Sequence, residues 1–116
     1  MRDTGIQPSE PMARRGRIMA VVRVTLFRAK EGQEATLARQ LAINVREVRD
    51  AIPNVLDIST GAKSGGNADY DVAIVARYPD QAALDAYDVH PAHLETRSRM
   101  EAFVAERQTF VYQTAD

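Results

Sequence analysis

The chain has 116 residues, 45% of them hydrophobic and 27% charged, with 15 Lys and Arg against 16 Asp and Glu. That length suits one domain, and that mix is ordinary for a globular protein and wrong for a disordered one. The net charge of −1 lacks the basic excess of a dedicated nucleic-acid binder, and the absence of cysteine excludes disulfides and thiolate chemistry.

Residues 1–17 read as a leader. They hold Gly5, Pro8, Pro11 and Gly16, show no apolar periodicity and carry a net +2 from four arginines against Asp3 and Glu10. A solvated tail is the expected form of such a chain end. Met12 and Met19 are alternative starts. The longest nearly apolar run, Ile18 to Phe27, is interrupted by Arg23 and is shorter than the roughly 20 residues that span a bilayer. No small-residue cleavage site follows it. A cytoplasmic protein is expected, with neither a membrane nor a nucleic acid as partner. The domain proper is taken as 18–116.

Met19 to Arg28 alternates as a strand. One parity, Ala20, Val22, Val24 and Leu26, is wholly apolar, and the other mixes Val21 and Phe27 with Arg23 and Thr25. From Glu34 to Ile52 the period becomes helical, with Leu37, Leu41, Val45, Val48 and Ile52 on one stripe. Pro53 ends it, because the residue before a proline is pushed out of the helical region. Val55 to Ala62 is a second strand, with Leu56, Ile58 and Thr60 on one face, and Gly65-Gly66-Asn67 lies in a loop. Tyr70 to Tyr78 is a third strand, with apolar residues on both parities. Asp80 is the N-cap of a short helix with the stripe Ala83, Leu84 and Tyr87. His90-Pro91 breaks it, and Pro91 opens a third helix reaching about Glu106, with Met100, Phe103 and Val104 as its core contacts. Gln108 to Thr114 is the closing strand.

The order βαββα(α)β is the split βαβ pattern of an α+β, ferredoxin-like fold, a four-stranded antiparallel sheet with helices on one face. Such a sheet should leave its other face polar. Here Val21, Phe27, Val72, Ile74 and Tyr78 share a face with Arg23 and Thr25, and four strands cannot close into a barrel alone. A second copy of the same sheet would cover that face, which predicts a homodimer enclosing a shared barrel-like interior.

The segments in this order resemble the stress-responsive dimeric α/β barrel (Dabb) family, part of the dimeric α+β barrel superfamily. Val24-Thr25-Leu26-Phe27-Arg28 looks like its opening strand, and Ile52-Pro53-Asn54-Val55-Leu56 like its Ile-Pro-Gly-Val turn. Tyr70 to Tyr87 resembles its third strand and second helix, His90-Pro91-Ala92-His93 its most recognisable tetrapeptide, and Phe110-Val111-Tyr112 its closing strand. The match covers roughly residues 20–113. Some family members are polyketide cyclases of the olivetolic acid cyclase type. Their Tyr-x-x-His-Pro-x-His stretch implies acid–base roles for Tyr87 and His93. They carry histidines where Arg23 and Val72 stand here, which implies a cavity of different polarity. Many other members are uncharacterised or described only as stress-induced, stable dimers, and related barrels are cofactor-free monooxygenases.

The residues themselves support an acid–base site. His93 falls near the third position of a helix, whose N-terminal partial charge disfavours imidazolium. A neutral ring is a base at pH 7. Tyr87, one turn away, could bond His93 or polarise a substrate carbonyl; the alternative for both is a structural link between helices. Arg23 on the interior face is either an anchor for a carboxylate or enolate or one half of a dimer-interface salt bridge. Phe27, Val72, Ile74 and Tyr78 are candidate cavity walls, or packing of the dimer core. His90 is a candidate binding residue and, standing before Pro91, a candidate helix cap. No metal centre is expected. His90 with His93 lacks a third histidine, and Asp85, Asp88 and Glu95 would hold a hard cation only weakly. Gly65-Gly66 lacks the lysine and helix of a phosphate loop, and no flavin or nicotinamide fingerprint occurs. The expected activity is cofactor-free cyclisation or isomerisation of a carbonyl compound held inside the barrel. A non-catalytic stress-type dimer is the alternative, and a cofactor-free monooxygenase the third reading.

Overall fold

Alternating β-branched residues put Ile18–Ala29 into strand β1 of the computed structural model, which describes residues 18–115, with side chains from Ala20 onward. The leader expected over 1–17 lies outside the described residues. After β1 come α1 (Glu34–Ala51), β2 (Asp57–Ala62), β3 (Val72–Tyr78), α2 (Gln81–Val89), α3 (Pro91–Met100), a single 3-10 turn (Glu101–Phe103) and β4 (Val104–Ala115). The strands form one antiparallel sheet in the order β2-β3-β1-β4. This is the expected ferredoxin-like arrangement.

The helical stripe of α1 holds as spaced: Leu37, Leu41, Val45 and Val48 are buried, and Ile52 follows at the C-cap. Asn54, two residues on, has φ +65, in the left-handed region. Its short polar side chain tolerates that conformation better than a branched one, so the turn closes where glycine would otherwise serve. Asp80 caps α2 by accepting from the Ala83 N–H at 2.9 Å. α3 is shorter than expected. It ends at Met100, and β4 begins at Val104 rather than Gln108.

The direct pairings fix the faces. Val21, Arg23, Thr25 and Phe27 of β1 stand opposite Tyr78, Ala76, Ile74 and Val72 of β3 and Gln113, Val111, Thr109 and Arg107 of β4. This face packs against the helices of the same chain. Val21, Ile58, Ala76 and Tyr78 cluster with Val45, Val48, Ile52, Ala83, Leu84 and Tyr87, while Phe27, Ala29 and Val72 cluster with Leu37, Leu41 and Met100. That corrects the expectation that a second sheet covers the Arg23 face. Both parities of β1 carry large apolar residues, and alternation alone does not say which parity the helices take. The face without helices carries Val24 and Leu26, with Val75, Phe110 and Tyr112 exposed.

Leu37 is fully buried between α1 and the sheet. Leu37→Ala should lower the unfolding free energy by about 2–5 kcal/mol, the usual cost of such a truncation, read as a drop in the urea midpoint at unchanged slope.

Candidate functional site

The two core clusters do not meet completely. Between them, bounded by the sheet on one side and the three helices on the other, lies a half-open cavity of about 260 Å³. Arg23, Thr25, Phe27, Ile74 and Tyr78 form its sheet side, and Tyr87, Asp88 and His93 close one end. Leu41, Val45, Val48, Ile58 and Met100 supply an apolar body.

Arg23 sits in the middle of β1 with its side chain only 17% exposed. A buried guanidinium needs partners. Its Nη1 donates to Asp88 Oδ1 at 2.6 Å, and its Nη2 lies 3.5 Å from the Tyr78 hydroxyl oxygen. The guanidinium carbon is also 5.5 Å from the Tyr87 ring centre and 6.0 Å from that of Tyr78, within range of cation–π attraction. The salt-bridge reading of Arg23 is therefore realised within one chain rather than across a dimer interface. Arg23 has five N–H donors, so donors remain for a ligand.

The α2–α3 junction positions the rest. His90 is both the C-cap of α2 and the N-cap of α3: its N–H donates to Tyr87 O at 3.1 Å, and its Nδ1 accepts from the Ala92 N–H at 3.1 Å. Pro91 begins α3 with its missing donor harmlessly at N1. This corner sets Tyr87 and His93 ring against ring, with centroids 4.5 Å apart, and Tyr78 meets Tyr87 edge-on at 5.4 Å. His93 Nδ1 lies 3.3 Å from Asp88 O. A carbonyl only accepts, so Nδ1 carries the proton and Nε2 keeps the free lone pair.

Burial depresses the His93 pKa below its ordinary 6.5; the Asp88 carbonyl opposes this and the Arg23 charge adds to it. The ring is neutral at pH 7. Burial pushes the Tyr78 phenol up to about 12, against the pull of Arg23. It raises Tyr87 further, with Tyr78 adding to the effect. Both phenols remain protonated donors. Desolvation of Arg23 is outweighed by its bond to Asp88 and the nearby phenols, and its pKa is raised.

Of the expected site residues, Arg23, Phe27, Ile74, Tyr78, Tyr87 and His93 line the cavity. Two do not. Val72 is packed with Phe27, Leu37 and Leu41 in the core, and His90 is spent on capping. The cavity adds residues the sequence did not single out: Asn44, Thr96, Arg97, Arg107 and Thr109. Asn44 is buried and donates to Thr96 O at 2.9 Å, tying α1 to α3. Arg97 was legible as the residue one turn after His93. Arg107 was hidden, because its inward parity appears only once β4 starts at Val104. Asp88, considered above for a cation, is held by Arg23. Among the described residues no group of three or more His, Asp and Glu converges as metal ligands would. No helix among them is long and apolar enough to cross a membrane.

The sequence matches the stress responsive A/B barrel domain (Dabb) family over residues 21–113, and the chain belongs to that family. No curated protein sequence matches at a significant level. Similar solved structures include a dimeric ferredoxin-like protein of unknown function from Thermobifida fusca, with 23% identity, TM-score 0.73, covering 85% of this chain and 94% of that one. A hydroxynitrile lyase from Passiflora edulis has 12% identity and TM-score 0.72 over 86% and 97%. A cofactor-independent oxygenase from Streptomyces nogalater has 14% identity and TM-score 0.67 over 84% and 95%. At these identities the likeness is one of fold.

Two histidines make titration clean. With His90→Asn, a substitution that keeps a capping side chain, to assign the signals, His93 should titrate below 6.5 by proton NMR. Its folded pKa is lowered, so the unfolded chain binds the proton first. The His93 contribution to stability is complete above about 6.5 and is lost as pH falls through the folded pKa. Urea stability between pH 7 and pH 5 should therefore decline more in the parent protein than in His93→Gln.

Proposed function

We propose that the chain binds a small, partly apolar carbonyl compound between its own sheet and helices and moves protons on it without a cofactor. The observation that carries this reading is an open cavity that reaches His93; a purely structural barrel would fill that space with side chains. His93 Nε2 takes the proton α to the carbonyl. The C–H electron pair becomes the enolate, and the developing oxygen charge is met by the Tyr87 hydroxyl and the free donors of Arg23. The enolate then closes on a second carbonyl of the same molecule, as in a polyketide-type cyclisation, or is reprotonated elsewhere, which is isomerisation. These are proton transfers and one carbon–carbon bond, so no redox partner enters. Two of the similar structures are of proteins named as enzymes, a hydroxynitrile lyase and an oxygenase, and the oxygenase is named as cofactor-independent. Oxygenation is the second reading, favoured by that oxygenase, and oxygen uptake separates it from cyclisation.

The working assembly is a homodimer in the cytoplasm. Several similar structures are described as dimeric. The surface that suits a second copy is the helix-free face of the sheet, where Phe110 is 65% exposed beside Tyr112 and Val75. The ligand site then lies within each protomer rather than between the sheets.

Benzoylacetone is a suitable first probe. His93→Gln should slow its α-carbon hydrogen–deuterium exchange by about 10²-fold or more, in line with general-base catalysis, and Tyr87→Phe by less. The parent rate should fall with acid along a limb whose midpoint lies below 6.5. Equal rates with and without His93 would overturn the assignment. Separately, light scattering should give a dimer for the parent chain and a monomer for Phe110→Asp.

A further inference from the structure

The acid–base cluster occupies one end of the cavity. The other end is built differently. Phe27 of β1 pairs directly with Arg107 of β4, four positions along the strand from Arg23 and its partner Val111. Four residues of strand span ~13 Å, so Arg107 and Arg23 enter the same cavity from opposite ends. On the helix side Arg97 follows His93 by one turn, on the order of 6 Å. Both Arg97 and Arg107 line the cavity.

These two cations share one carboxylate. Glu101 Oε1 and Oε2 accept from Arg107 Nη2 and Nη1, both at 3.2 Å, and Oε2 also accepts from Arg97 Nε at 3.4 Å. The carboxylate that β4 itself carries, Glu106, is taken up with Arg28 and the Tyr70 hydroxyl. Among the described residues the Nη groups of Arg97 have no hydrogen-bond partner. Counted over the described residues, the mouth thus carries two cations on one carboxylate, a surplus of one positive charge. The Arg107 guanidinium also lies 5.5 Å from the Phe27 ring centre, within range of cation–π attraction. At the other end Arg23 is already balanced by Asp88.

We infer that the cavity takes a carboxylic acid that also carries a ketone: the carbonyl against His93 and Tyr87, an apolar body along Leu41, Ile74 and Met100, and the carboxylate on Arg97 and Arg107. A surplus of one charge matches a monoanion, and Glu101 beside it opposes a phosphate dianion. The cavity volume is below the roughly 300–1,000 Å³ of sites for drug-sized ligands, which limits the body to about one ring. This inference rests on the proposed carbonyl site and adds its second recognition point.

The test uses the full chain, 3-(4-acetylphenyl)propanoate, whose ring lies between ketone and carboxylate, and its methyl ester, with calorimetry for affinity and the His93 ring signals for location. The acid should bind at least tenfold more tightly than the ester at low salt. That preference should vanish in Arg97→Gln, a half-exposed position tolerant of change, and in Arg107→Gln, while affinity for the ester holds. Thermal melts of both variants check folding. If acid and ester bind equally and both move the His93 signals, the anion mouth is wrong and the carbonyl site stands. An acid preference that survives both substitutions places the carboxylate elsewhere and overturns the inference. If neither compound moves His93, the carbonyl site and the mouth fail together.

Discussion

The ion pair between Arg23 and Asp88 is the contact on which the site depends. A guanidinium in the middle of a central strand, facing the helices, would be costly if left alone. Asp88 compensates it from the last turn of α2, and Tyr78 and Tyr87 surround its faces. The pair therefore ties the end of α2 to the sheet. Because Asp88 also offers its backbone carbonyl to His93, the same residue sets the charge partner of Arg23 and the proton position on the imidazole. Removing the Asp88 side chain would touch only the first of these directly.

That tie sits beside a gap in the packing. One core cluster gathers around Val21, Val48 and Tyr78, and the other around Phe27, Leu37 and Leu41. Interiors normally close to crystal-like density. Here the polar groups Arg23, Thr25, Asn44 and Thr109 interrupt the apolar contact between the clusters, and a cavity remains. Buried Asn44 holds α1 to α3 across it through the Thr96 carbonyl. Of the polar groups that bound the space, Arg23 is paired with Asp88 and Asn44 with the Thr96 carbonyl.

Much of this was legible in local pattern. The α1 stripe, the Asp80 cap and the His90-Pro91 break each depend on contacts within a few residues, and each appears where the spacing puts it. His93 at the third position of α3 also follows from Pro91 alone. The depressed pKa of His93 was anticipated from the helix terminus, but its main cause is burial, a property of packing that the spacing does not carry. The start of β4 was misplaced because 101–106 reads equally well as a continued helix. That error hid Arg107 by concealing which of its neighbours point inward.

The amino-acid sequence by itself determined the order of elements, the antiparallel ferredoxin-like sheet, and the juxtaposition of Tyr87 with His93, because these rest on periodicity, caps and proline. Tertiary structure alone decided which face of β1 the helices cover, since both parities are apolar enough to be buried. It also decided that Arg23 pairs with Asp88, 65 residues away, and that Val72 and His90 stay out of the cavity while Arg97 and Arg107 enter it. Those outcomes depend on how helices and sheet dock, and no short-range pattern encodes that choice.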